Sequence, residues 1–443
     1  MTPRDFQGLP LSGADASSTA CYQRALRQLQ CYIEDPVASI DQAIAESPRF
    51  VMAHVLRAYL HLLGTEPAGI PVARESHQAA AALPATPRER GHIEAVGHLA
   101  AGRWLRGGRV LEDLSTEYPL DVLALQAGHL VDFYTGNSRM LRDRIARAAP
   151  LWHPDLPGYH AVLGMYAFGL EETGDYARAE ALGRTAVQTD SRDGWAQHAV
   201  AHVMEMQNRS ADGIAWLRAD SDAWSRDSFF QIHLWWHLAL YHLEHGDIEA
   251  VLALFDGPIH GTRSNLILDL IDASALLWRL HLRGVDVGTR WQTVAELWTP
   301  LATAGHYAFN DLHAVMAFVG AGRADALEAV LEAQRFAMTG GDDNALFTRD
   351  VGHPLTLAFR AFGRGQYEET VRIIRDVRES AHRFGGSHAQ RDLLDLTLIE
   401  AALRSNQTAL ARALSAERVE RRDSPLSRLF AQRAGTAIHA AAA

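Results

Sequence analysis

The chain has 443 residues, 48% hydrophobic and 21% charged, with a formal net charge of -11. That composition excludes a disordered or fibrous protein, and the length exceeds what one compact core usually holds, so several domains or an elongated array are expected. The acidic balance and the lack of any basic run argue against a nucleic-acid partner, because phosphate binding needs clustered Lys and Arg.

The N-terminal stretch MTPRDFQGLPLSGADASS has no apolar core of a leader, and no apolar run reaches about 18 residues, so no membrane partner and a cytoplasmic location are expected. The first 18 residues are expected to be loosely held. Cys21 and Cys31 follow ten residues apart in a predicted helix, too far along its axis to pair, which points to a reducing compartment.

From there, apolar-periodic segments stop in turn at Gly64, Gly102, Gly136, Gly174, Asn208, Gly246, Gly284, Gly322, Gly365 and Asn406, at intervals of 34 to 43 residues. Gly and Asn are the residues that take the left-handed conformation closing a helix, so evenly spaced stops mean evenly spaced helix pairs. The segments GLEETGDYARAEALGRTAV and ALYHLEHGDIEAVLALFD show the unit best: a Gly-Asp turn, an apolar residue, and Ala179 or Ala250 against the neighbouring helix. Proline-rich breaks at 83–90 and 150–158 are too short to divide domains. No segment reads as a strand.

This pattern resembles the tetratricopeptide (TPR) repeat, whose period is about 34 residues. The resemblance implies an all-α, tetratricopeptide-like right-handed superhelix of about ten antiparallel helix pairs, a single solenoid over residues 19–434 with His-rich repeats at about 195–320 and an Ala-rich tail at 435–443. Longer stretches are similar to the family of tetratricopeptide repeat protein 38: WAQHAVAHVMEMQ, HLWWHLALYHLEHGDIEA, LDLIDASALLWRLHLRGVDVGTRW, FNDLH, TRDVGHPL and GGSHAQRDLL, spanning about residues 195 to 395. That family brings no established reaction or catalytic residue.

Six histidines fall between residues 198 and 245, two pairs of them four apart. With each turn residue set as position 15 of its repeat, His198, His202, His233, His237 and His313 fall on the first helix at positions that line the concave face of a TPR array. Trp236 does so too. His98 and His242 fall at a core position, and His129 also reads as core.

An HxxxH pair projects two imidazoles the same way, which suits a transition metal such as Zn or Fe; His198, His202, His233 and His237 are the candidate ligands. As acid–base groups, His198, His202, His237 and His313 are the candidate catalytic residues. Trp195, His233, Trp236, Asn310, Asp311 and Arg349 are the candidate ligand-binding residues. Asp269, Asp350 and Asp392 read better as helix caps, as does Ser387. The competing reading is that the histidines and tryptophans pack in the core.

Two functions follow. One is a small-molecule-binding protein with a His-lined concave pocket, a candidate metal-dependent or acid–base enzyme of unknown reaction. The alternative is a non-catalytic scaffold holding a peptide or partner protein along its groove, the usual work of such arrays.

Overall fold

The structure is a computed structural model and describes residues 3–435. It is all-α: 25 α-helices and no named strand occur among the described residues, with only isolated bridges at Arg4–Pro10 and Ile33–Ser228. Consecutive helices pair through short turns into TPR-like hairpins, as with Tyr159–Glu171 and Tyr176–Thr189.

The expected helix stops account for this. Gly102, Gly136, Gly174, Gly246, Gly284, Gly322 and Gly365 have φ between 67° and 85°, and Asn208 and Asn406 have φ of 55° and 57°. At each, the next residue's N–H reaches back five residues, as from Asp175 to Leu170 O (2.9 Å), Asp247 to His242 O (3.0 Å) and Gln407 to Ala402 O (2.9 Å). This is the Schellman closure, which satisfies carbonyls left open at a helix end. Gly64 is the exception: the positive φ there falls on the next residue, Thr65 (56°).

The chain divides into two compact units. Unit 1 comprises residues 1–203 and 220–231, and unit 2 residues 204–219 and 232–443. In unit 1, the small residues of one hairpin admit close approach: Ala179 packs with Leu170 and Val203, and Ala186 with Leu163 and Ala196, all buried. In unit 2, two of the buried tryptophans carry hydrogen-bonded indoles, Trp278 to Thr397 Oγ1 (3.0 Å) and Trp298 to Ser274 Oγ (2.9 Å). Paired polar atoms of this kind allow such large side chains to lie fully inside.

The N-terminal segment is tied down where loose ends were expected. Leu11 is fully buried, the Ser12 N–H donates to Glu89 Oε1 (2.8 Å), the Val51 N–H donates to Ser12 O (3.0 Å), and Arg88 Nη2 donates to Pro10 O (3.0 Å). Asp15 then caps the first helix, Ala16–Cys31, with a capping box through Ser18. Cys21 and Cys31 share that one unbroken helix and are both free thiols. The tail beyond Gly435 lies outside the described residues. No described helix is long and apolar enough to cross a membrane.

Candidate ligand site

The predicted site residues are divided between the units. In unit 1, His198 and His202 lie one turn apart on helix Gly194–Met206, with ring centroids 4.3 Å apart, and both are buried. His198 stacks on Phe168, and His202 Nδ1 is 3.5 Å from Glu171 Oε2. Trp195 stacks on Tyr32 and lines a small void with Gln30, Gln126, His129, Ala161 and Met165. His129 is a core histidine as expected, its pKa pushed down to about 3 by burial and then by Arg144.

In unit 2, each imidazole of helix Gln231–Glu244 has a carboxylate behind it. His233 Nδ1–H donates to Asp272 Oδ2 (2.8 Å), and His237 Nδ1–H donates to Glu205 Oε2 (3.0 Å). Trp236 is fully buried, stacked on His233. His313 is also enclosed; its Nδ1–H donates to Phe309 O (2.8 Å), and burial lowers its pKa to about 4. Asp311 accepts from Gln334 Nε2 (3.2 Å), and burial raises its carboxyl to about 7. Asn310 is buried beside it.

Several expectations are corrected here. His198, His202, His237 and His313 do not line an open face: each is at most 2% exposed. The inner positions of the repeat frame are packed shut by rings and helices. His98 and His242, assigned to the core, instead keep 19% and 12% of their side chains exposed. Arg349 is exposed and donates from Nη2 to Met338 O (2.9 Å), at the end of helix Ala324–Ala337, so it faces no pocket. Asp269, Asp350 and Asp392 do not cap helices: Asp269 accepts from Ser264 Oγ, Asp350 pairs with Arg383, and Asp392 pairs with Arg418. Ser387 caps helix His388–Arg404 as expected.

The cavity of unit 2 is lined by none of the predicted site residues. Arg279, Arg283, Arg418 and Arg422 line it with Glu205, Glu244 and Asp392, against an apolar wall of leucines and Phe430. It encloses about 30 Å³, room for one or two waters, within a cleft of about 450 Å³ that reaches solvent. Arg279 and Arg283 are one turn apart at the end of helix Ile267–Leu282, and Arg418 and Arg422 one turn apart at the end of Thr408–Arg421.

The charges do not balance. Arg418 grips both oxygens of Asp392, and Arg422 reaches Glu205 (3.5 Å) and Glu244 (3.4 Å). Arg279 has no carboxylate in contact; it donates to the carbonyls of Ala275 (3.2 Å) and Ala389 (2.8 Å) and lies over Trp236. Burial therefore lowers its pKa to about 10, and burial lowers Arg283 as well. Among the described residues the Nε–H groups of Arg418 and Arg422 are buried without an acceptor, and the half-buried Arg283 lines the same cavity. Buried donors without acceptors are rare, and each costs roughly 1–3 kcal/mol. Two of the predicted residues stand directly behind this cavity: Trp236 beneath Arg279, and His237 holding Glu205.

The paired arginines were visible as i,i+4 spacings in WRLHLR and RVERR, but such spacing on a surface helix is an ordinary solvated face. Only tertiary packing brings the two pairs to one cavity.

No protein-family model matches the chain. Among solved structures it is similar to an IFIT1 monomeric mutant with Gppp-AAAA, at 12% identity and a TM-score of 0.41 over 95% of each chain. The hairpins described above make this a TPR-like helical-repeat protein.

Proposed function

We propose that this is a small-molecule-binding TPR-like protein, and that unit 2 takes the anionic group of a small organic acid in its arginine cavity. The observation that carries the reading is a set of donors converging on one cavity: Arg418 Nε and Arg422 Nε are buried without an acceptor among the described residues, and the half-buried Arg283 lines the same cavity, where four guanidinium groups face three carboxylates. A carboxylate accepts several such bonds at once, and charge-assisted bonds of this kind are the strong ones. Leu240, Leu243, Leu282 and Phe430 suit the carbon chain attached to it.

The test is calorimetry with hexanoate, hexanol and inorganic phosphate on the untagged full chain. Binding of hexanoate, no binding of hexanol, and at least a tenfold loss in Arg283→Gln support the reading. Hexanoate binding unaffected by Arg283→Gln, or none at all, overturns it.

The reading of the histidines as metal ligands or acid–base groups is supported within unit 2 by Asp272 and Glu205, since a carboxylate behind an imidazole is the usual device for orienting a ligating ring. Metal content of the untagged protein, compared with His237→Gln, tests it. Membership of the tetratricopeptide repeat protein 38 family rests on the stretches quoted above and adds no reaction. The free thiols Cys21 and Cys31 fit the expected reducing compartment.

A further inference from the structure

In unit 1, three metal-ligating groups that are not among the predicted site residues meet. Cys31 ends the first helix, His160 opens helix Tyr159–Glu171, and Asp190 follows helix Tyr176–Thr189. Cys31 Sγ is 3.8 Å from Asp190 Oδ2, His160 Nε2 is 3.9 Å from the same oxygen, and all three atoms lie within 4.8 Å of one another. We propose that Cys31 Sγ, His160 Nε2 and Asp190 Oδ2 bind one zinc ion, with Asp193 orienting the imidazole and a water completing the coordination.

The distances suit the ion. Zinc held tetrahedrally at about 2.3 Å from sulfur and about 2.0–2.1 Å from nitrogen and oxygen sets S and O about 3.5 Å apart, and N and O about 3.4 Å apart. The two sides that meet at Asp190 Oδ2 are wider by a few tenths of an ångström and the third is within 4.8 Å, a gap that side-chain adjustment closes. A thiol, an imidazole and a carboxylate are together a zinc donor set, and three protein ligands leave a position for water.

The surroundings are also those of a metal site. His160 Nδ1–H donates to Asp193 Oδ2 (2.8 Å), which fixes the tautomer and turns Nε2 toward Cys31 and Asp190. Asp193 is itself held: it is fully buried, and its Oδ1 accepts from the Ala196 N–H (2.9 Å) as the cap of the next helix. Asp190 Oδ1 accepts from the Arg192 N–H (3.0 Å), so its Oδ2 is the oxygen presented. Arg27, half exposed, lies 2.9 Å from that Oδ2 and is the cation the metal would displace or share.

Cys, His and Asp also make a nucleophilic triad. Cys31 is fully enclosed, however, and no substrate reaches its sulfur. Metal binding needs only the ion: the thiol proton leaves to solvent, and sulfur takes the metal in place of its contact with Asp190.

The experiment is cobalt substitution on the untagged full chain after chelation. One Co²⁺ per chain with a thiolate-to-cobalt charge-transfer band is expected, displaced by one equivalent of zinc, absent in Cys31→Ser and retained in Cys21→Ser. Asp193→Asn, which touches no metal, is expected to weaken zinc about 10- to 100-fold. X-ray absorption of the wild-type zinc form is expected to show one sulfur neighbour, which needs no variant to fold. A shell of nitrogen and oxygen only, a band unchanged in Cys31→Ser, or a folded protein that takes up no cobalt overturns the proposal.

Discussion

Arg422 lies between Glu205 and Glu244, its two terminal nitrogens 3.5 Å and 3.4 Å from their carboxylates. Both acids are nearly buried, and Glu244 also accepts the Leu426 N–H (2.9 Å). Arg422→Met removes the one guanidinium shared by two enclosed carboxylates. Loss of a partner from a buried pair costs about 3 kcal/mol or more, so a clear drop in the denaturant midpoint is expected.

Arg283→Met should behave differently although it lines the same cavity. Burial and the neighbouring Arg418 disfavour its charge more than the field of Glu244 favours it. Stability within about 0.5 kcal/mol of the parent, or slightly above it, is expected, with hexanoate binding lost. A destabilisation equal to that of Arg422→Met would show a hidden structural role.

Asp311 gives an inverted pH dependence. Its folded carboxyl titrates at about 7 against 3.8 when free, because burial holds the proton on. Between those values the folded state binds more protons than the unfolded state, so this group's contribution falls as pH rises from about 4 to 7. Asp311→Asn keeps an acceptor for Gln334 and has no charge to bury. It is expected to raise the melting temperature at pH 8 and to leave it nearly unchanged below pH 4.

His129 and His313 act in the opposite sense. Burial lowers them to about 3 and about 4, against 6.5 when free. The stability they contribute is complete above about pH 6.5 and is lost as pH falls through that window, where only the unfolded state takes up the protons. A His129→Phe variant, with ring neighbours Phe168 and Trp195 already in place, should flatten the acid limb of a stability–pH curve. An acid limb identical to the parent's would remove His129 from that account.

The turns offer a strain test free of packing. A Cβ at Gly174 meets nothing within 4 Å, but its φ is 85°. Gly174→Ala is therefore expected to cost about 1 kcal/mol from the left-handed conformation alone. Asn406→Gly, at φ 57° on an exposed turn, should be neutral or slightly stabilising. Urea unfolding of both variants measures the difference.

These turns are also where the sequence was most legible. A helix stop is a local event, decided by which residue tolerates positive φ, so nine of ten stops could be placed from Gly and Asn alone. Thr65 escaped because nothing local marks a threonine for that conformation. The histidines were legible as a cluster but not as a surface: spacing shows which residues share a helix face, while what covers that face is set by distant chain. Arg349 shows this directly, since the carbonyl of Met338 that holds it has no signature in sequence. The cavity was the least legible feature, because Arg279 and Arg418 meet across more than a hundred residues.

The ties between residues 10–12 and Arg88 and Glu89 have a consequence for synthesis. The segment translated first can tie Ser12 to Val51 early, but its ties to Arg88 and Glu89 form only when helix Pro87–Ala100 exists, some eighty residues later. A ribosome that stalled before that helix would hold two complete hairpins whose opening strap is fastened at Val51 alone. What begins the chain is thus among the later pieces of unit 1 to settle.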